Sequence, residues 1–160
     1  MYDLIIKNGI VIDGTNSPRK VSDIAISNGI IKETGKIDSQ AKRVVDAEGY
    51  IVTPGWVDIH THYDGQATWD PYLTPSSWHG VTTSVFGNCG VGFAPVRKGT
   101  ENFLINLMEG VEDIPESVLS EGIDFTWESF PEYLNALDAS KRIMDIGTQV
   151  PHSALRFFVM

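Results

Sequence analysis

The stretch that decides the fold is Tyr50-Ile-Val-Thr-Pro-Gly-Trp-Val-Asp-Ile-His-Thr-His62, an apolar run that ends in two histidines. Its second half predicts a β-strand, and successive strand side chains point to opposite faces, so His60 and His62 share one face. Two imidazoles placed in this way can bind one metal ion through neutral ring nitrogens. The alternative is a histidine pair without a metal, because His-x-His also arises by chance.

A single cysteine, Cys89, follows the next apolar run along the chain, Val81-Thr-Thr-Ser-Val-Phe86. Ligands at the ends of neighbouring parallel strands meet at one edge of a sheet, where a barrel enzyme places its active site. Two imidazoles and one thiolate form a donor set that suits zinc. Alternatively, a lone cysteine is a small buried apolar side chain.

Four further residues are candidates for supporting roles around this site. Asp58 and Asp64 flank the histidines, and either could hold an imidazole tautomer; equally, Asp58 could cap a backbone group and Asp64 could simply be loop. His152 follows a third predicted strand and could contact substrate or metal. Arg156 is a candidate partner for an anion, with a surface role as its alternative. His79 precedes the second strand, at the wrong end for a ligand.

Composition restricts the possible partners. The chain has 160 residues and a formal net charge of −9, which argues against nucleic acid or an anionic membrane as the main partner. No apolar stretch is long enough to span a bilayer, and no signal peptide is recognisable. One cysteine fits a reducing compartment, so the cytoplasm is the expected location. Residues 99–140 contain ten acids and no Lys or Arg, which predicts a solvated surface.

The chain divides into two parts by pattern, with a boundary at Pro54. Residues 1–54 contain Asn8-Gly9 and Asn28-Gly29 between apolar runs, which predicts two β-hairpins and, with a further strand pair formed by residues 44–45 and 50–52, a small antiparallel β-sandwich segment. Residues 55–160 alternate strands with helices, at 100–109 and 128–137, before a third strand at 143–150. This alternation predicts an α/β fold with a parallel sheet.

Several motifs together resemble the metal-dependent amidohydrolase superfamily, and more narrowly its N-acyl-D-amino-acid deacylase branch. Residues 3–14 and 45–62 resemble the opening of dihydroorotases and hydantoinases. The motifs similar to the deacylase branch are residues 60–64, 69–71, 76–83, 87–95, 110–115 and 151–156. The resemblance implies a (β/α)8 barrel beside a β-sandwich, with residues 55–160 as the first part of the barrel.

The same resemblance implies a function. It makes His60, His62 and Cys89 zinc ligands, and the reaction the hydrolysis of an N-acyl-D-amino acid, a small-molecule substrate. A complete barrel takes about 250 residues, so we expect the chain to be the N-terminal part of a longer enzyme and inactive alone, without catalytic residues of its own that can be named. Open barrel edges predict self-association. The alternatives are an amidohydrolase of cyclic amides or a metal-binding module without activity.

Overall fold

The computed structural model describes residues 1–160, which form two compact units, Met1–Pro54 and Gly55–Met160. Each unit contains its own sheet and its own hydrophobic core, and the core of the second unit is the larger. No helix combines the length and the apolar character that crossing a membrane would need.

The first unit is a five-stranded sheet with strand order β3-β2-β1-β4, in which β5 also pairs with β1. Its core is formed by Ile5, Ala25 and Ile37, which are almost fully buried. The strands are β1 (Tyr2–Val11), β2 (Lys20–Ser27), β3 (Ile30–Gly35), β4 (Ala41–Asp46) and β5 (Ile51–Val52). The hairpin predicted at Asn28-Gly29 is confirmed: β2 and β3 are antiparallel, and both turn residues have a positive φ.

The prediction of a purely antiparallel sheet is wrong, because β4 and β5 both pair with β1 in parallel rather than with each other. The hairpin predicted at Asn8-Gly9 is also wrong, since β1 continues through it with a bulge. Asn8 takes a left-handed φ of 60°, and its side chain donates to Asp46. A Cβ on Gly9 would lie 2.5 Å from Val52, so glycine here allows the close approach of another strand. The first unit contains a single sheet, and the sandwich stays a prediction.

Asp23 is the polar anchor of this unit. Its carboxylate accepts hydrogen bonds from the amides of Asn8 and Ile37, at 2.9 and 3.0 Å, and pairs with Lys7 at 2.9 Å. Burial opposes the ionisation of Asp23, but the two amides and the Lys7 ammonium outweigh it and lower its pKa to about 2. The ionised carboxylate therefore stabilises the folded unit.

We expect Asp23→Asn to lower the free energy of unfolding by about 2 kcal/mol at pH 7. The folded pKa lies below the unfolded value of about 3.9, so this contribution is present above pH ~4 and is lost as pH falls toward 2. Urea denaturation followed by circular dichroism, at several pH values, measures the difference. Asp38→Asn, at an exposed position, is the control. A difference between wild type and variant that stays constant from pH 7 to pH 2 would contradict the assignment.

The second unit is built on a three-stranded sheet of order β6-β7-β8, and both strand pairs are parallel. The strands are β6 (Trp56–Thr61), β7 (Val81–Phe86) and β8 (Asp145–Thr148), and the helices are α1 (Glu101–Glu112), α2 (Glu116–Gly122), α3 (Phe130–Asp138) and α4 (His152–Val159). The third strand and the helices predicted near 100–109 and 128–137 are confirmed, apart from their ends. Helices α2 and α4 were missed.

Helix α3 shows why the predicted helices form where they do. Ser129 accepts a hydrogen bond from the Glu132 amide, and the Glu132 carboxylate accepts one from the Ser129 amide, which makes a capping box. Tyr133 and Leu137 then face the core. The fold class is mixed α/β as expected, but these residues contain no closed barrel, because three parallel strands leave β6 and β8 as open edges.

Candidate metal centre

The two histidines lie where β6 ends, and the structure explains why both face the same way. Thr61, between them, points to the other side of the strand, where its hydroxyl lies 2.8 Å from Ser84 Oγ and donates to the Val85 carbonyl at 3.1 Å. This anchoring of Thr61 to β7 leaves His60 and His62 on the opposite face, with ring centroids 5.8 Å apart.

Cys89 lies in the turn that follows β7, and Asn88 ties this turn to the histidine strand. The Asn88 side-chain amide donates to the Ile59 carbonyl at 2.7 Å, at a point where the pairing of β6 with β7 is irregular. The Gly90 amide closes the turn onto the Gly87 carbonyl at 3.1 Å. Cys89 is thereby held beside His60, with Sγ 2.8 Å from His60 Nε2.

The three side chains form a donor set with the chemistry and spacing of a metal site. One ligand atom from each of His60, His62 and Cys89 lies within 4.8 Å of the other two. In a tetrahedral zinc site the ligand atoms are roughly 3.3–3.6 Å apart, as follows from bond lengths of about 2.1 Å for nitrogen and 2.3 Å for sulfur. The ligand atoms would therefore reach that spacing if they moved by about an ångström. Two imidazoles and a thiol are also donors that zinc accepts.

Unpartnered polar atoms beside these donors also fit a cation. His62 Nδ1 and Asp64 Oδ2 are both buried without a hydrogen-bond partner. Polar atoms buried without a partner are uncommon in folded proteins, and a nearby bound ion is one way in which such atoms become satisfied. The residues present therefore fit a bound metal ion.

A carboxylate that the sequence did not single out contacts the cluster. Glu112, the last residue of α1, has Oε1 3.2 Å from His62 Nε2, and both side chains are largely buried, at 28% and 15% exposure. Sequence reasoning missed Glu112 because it lies within the acidic run that was predicted to be solvated surface. No local spacing connects it with the histidines.

Asp64 is buried next to the cluster rather than in an open loop. Burial raises its pKa to about 7, and the charge of Glu112 adds to the rise. Tyr133 donates to the Asp64 backbone carbonyl at 2.6 Å, which joins this segment to α3. Its carboxyl group makes no hydrogen bond to either imidazole.

The remaining candidates lie around the cluster without joining it. Asp58 accepts a hydrogen bond from the His60 backbone amide at 3.2 Å, so it caps the backbone and does not contact the ring. His152 is exposed at the start of α4, with its Cβ near the backbone of Gly90. Arg156 lines a separate cavity on α4 together with Arg97 and other residues. His79 is exposed before β7.

Comparisons with known proteins identify the family of the chain. The family model described as "Amidohydrolase family" matches residues 43–160. D-Aminoacylase from Alcaligenes xylosoxydans xylosoxydans is 35% identical over 160 residues, which are 99% of this chain and 31% of that protein. A solved D-aminoacylase, studied for its binuclear metal center, matches with a TM-score of 0.82 at 35% identity, over 100% of this chain and 32% of the other.

N-acyl-D-glutamate deacylase from Bordetella bronchiseptica, solved with zinc and a phosphonate inhibitor, matches with a TM-score of 0.73 at 31% identity, over 99% of this chain and 31% of the other. The chain therefore spans about a third of the length of these relatives. A parallel sheet that carries imidazole and thiol donors at its edge defines a class of metal-dependent hydrolase sites. The chain belongs to the amidohydrolase family, whose members are hydrolases of carbon–nitrogen bonds other than peptide bonds.

Proposed function

We propose that the protein of which these residues form part hydrolyses the amide bond of N-acyl-D-amino acids, with a zinc ion held by His60, His62 and Cys89. The single observation that carries the proposal is the convergence of these three donors at one sheet edge. The similarity to D-aminoacylase and to N-acyl-D-glutamate deacylase, the latter solved with zinc, supports both the substrate class and the metal.

The roles of the chain's own residues follow from their positions. His60 and His62 supply ring nitrogens from β6, and Cys89 supplies sulfur from the turn after β7. Asn88 keeps the turn and the strand together through the Ile59 carbonyl. A zinc ion held by these residues would supply Lewis-acid chemistry, namely polarisation of the substrate carbonyl and activation of water. Residues of this chain thus act as metal ligands, and others hold the ligands in place.

The relatives' folds support a finer proposal for the architecture: β6, β7 and β8 begin a (β/α)8 barrel, and the first unit contributes to a β-sandwich. The open edges of the sheet, with exposed apolar side chains on β6 at Trp56, Val57 and Ile59, support self-association wherever those edges stay uncovered. A single cysteine supports the cytoplasm as the location.

The function is tested by assaying the whole protein with N-acetyl-D-leucine, N-acetyl-L-leucine and a hydantoin, while free amino acid is measured. We expect hydrolysis of the D-substrate, none of the L-substrate above the blank, loss of activity after chelation and recovery when zinc is added back. Hydrolysis of the hydantoin alone would replace the substrate class by cyclic amides. Metal binding with no hydrolysis of any of the three would favour a non-catalytic module.

A further inference from the structure

The second unit contains a cavity of about 630 Å³ that is lined by residues of α1, of α4 and of the segment before α1. This volume lies within the range of small-molecule sites, which is about 300–1,000 Å³. None of His60, His62 and Cys89 lines the cavity, so it is not part of the donor cluster. It is therefore a second place on the chain where a small molecule fits.

The walls of the cavity are mainly apolar. Phe103 and Leu107 line it from α1, and Phe157 lines it from α4. The rings of Phe103 and Phe157 are stacked, with centroids 3.9 Å apart. Phe103 is nevertheless 47% exposed, so the stacked pair leaves apolar surface uncovered. An apolar group that covers this surface is removed from water, which favours its binding.

Two arginines bring positive charge to the same cavity. Arg97 precedes α1 and Arg156 lies on α4, and both line the cavity. Neither guanidinium pairs with a carboxylate, because the ion pairs of the chain are formed by Lys7, Lys42 and His62. No acidic residue lines the cavity, although the chain has a net charge of −9. The cavity thus combines apolar walls with two cations that have no anionic partner.

The acid closest in sequence to Arg97 does not neutralise it. Glu101 accepts a hydrogen bond from the Gly99 amide at 3.0 Å and lines a different cavity. The guanidinium carbon of Arg97 lies 5.6 Å from the centroid of the Phe158 ring. Such a contact with an aromatic face holds the guanidinium in place but leaves its charge available to an anion.

We propose that this cavity binds a small carboxylate that carries an aliphatic chain. The guanidinium groups of Arg97 and Arg156 bind the carboxylate, since their planar N–H donors match its two oxygens. The aliphatic chain covers the apolar surface of Phe103, Leu107 and Phe157. A purely apolar molecule would leave both cations without a partner, and a cationic one would be repelled by them.

A free fatty acid and an N-acyl amino acid share this chemistry. Binding at the cavity needs no metal ion, so the inference goes beyond the proposed function and does not depend on it.

The test measures the binding of decanoate to the 160-residue chain by isothermal titration calorimetry, below the micelle concentration. Acetate lacks the chain, decanol lacks the charge and decyltrimethylammonium reverses the charge. Each should bind at least about 10-fold more weakly than decanoate. N-decanoyl-D-alanine is the second carboxylate. If it binds more tightly than decanoate, the occupant is an N-acyl amino acid; the reverse order indicates a free fatty acid, and either order supports the site.

Variants of the two arginines test where decanoate binds. Arg97→Gln and Arg156→Gln should each weaken its binding about 10-fold. Both side chains are exposed, so the circular dichroism spectrum should not change. Arg156→Lys keeps the charge without the paired donors and should show a smaller loss. The matched control is Lys98→Gln, which removes the same charge beside Arg97 from a residue that lines a different cavity, and it should bind decanoate as wild type does.

The proposal is overturned if acetate or decanol binds as tightly as decanoate, because the chain or the charge would then be unnecessary. Equal losses in Lys98→Gln and in the two arginine variants would indicate general charge attraction instead of a site. Loss of decanoate binding in Cys89→Ser would place the carboxylate at the metal centre. Failure of the whole protein to bind decanoate would mean that its other residues cover the cavity. Binding by metal-free chain supports the site whatever the deacylase assay shows.

Discussion

Replacing Cys89 by serine is expected to abolish tight zinc binding by the 160-residue chain, with a loss of affinity of more than about 100-fold, beyond the range that an outer-sphere partner contributes. The donor cluster has only three members, and Cys89 is its one sulfur. A serine hydroxyl is a much poorer zinc ligand than a thiolate, so two imidazoles would remain to hold the ion. Elemental analysis of protein purified without chelator gives the zinc content, and competition with a chelator gives the affinity.

His79→Asn is the matched control, because it removes an exposed histidine that lies before β7 rather than at the donor cluster. It should leave the zinc content unchanged, whereas His62→Ala should lower it as Cys89→Ser does. Equal zinc content in wild type and Cys89→Ser would mean that the metal binds elsewhere in the chain. Zinc bound by none of the proteins would mean that these residues do not form a working site by themselves.

The donor cluster could be predicted because it depends on local rules. Strand parity puts His60 and His62 on one face, and the position of Cys89 after the next strand puts it at the same edge of a parallel sheet. Glu112 obeys no such rule. It reaches His62 only because α1 packs its apolar side into the core, and the sequence of an acidic helix does not tell which of its acids points inward.

The first unit shows the same limit for turns. Asn8-Gly9 and Asn28-Gly29 look alike in sequence, yet only the second forms a hairpin. A two-residue hairpin of the predicted type needs a positive φ at both positions. Asn28 and Gly29 both have one, whereas at the first site only Asn8 does. Asn8 donates hydrogen bonds to Asp23 and Asp46, which are distant in sequence. These tertiary hydrogen bonds stabilise a bulge where the local sequence predicts a hairpin.

Parallel pairing of β4 and β5 with β1 was missed for a related reason. Strands joined by a short connection usually form a hairpin. Because residues 44–45 and 50–52 are close in the chain, the sequence predicts that they pair with each other. In the structure the segment that contains the buried Ile37 leads from β3 to the opposite edge of the sheet, where β4 pairs with β1. One buried residue, Ile37, leaves no periodic pattern in the sequence from which this path could be predicted.

The second large effect is expected at Gly87, which precedes the cysteine turn. Gly87 has a φ of +83°, and a Cβ there would lie 2.3 Å from the backbone oxygen of Gln149. A backbone atom cannot move aside as a flexible side chain can, and the amide of the same Gln149 donates to the Phe86 carbonyl at 2.9 Å. Gly87→Ala should therefore combine the cost of a left-handed residue, about 1–2 kcal/mol, with loss of this hydrogen bond, about 1 kcal/mol.

We therefore expect Gly87→Ala to lower the free energy of unfolding by about 2–3 kcal/mol, and to weaken zinc binding because Cys89 follows two residues later. Gly99→Ala is a closely matched control: its φ is +86°, but nothing lies within 4 Å of the added Cβ. It should lose only the conformational part, about 1–2 kcal/mol, and keep its zinc. Urea denaturation and chelator competition measure both quantities. Equal losses of unfolding free energy in the two variants would show that the backbone at Gln149 moves to accommodate the added methyl group. The close approach of Gln149 to Gly87 would then not be what fixes the cysteine turn.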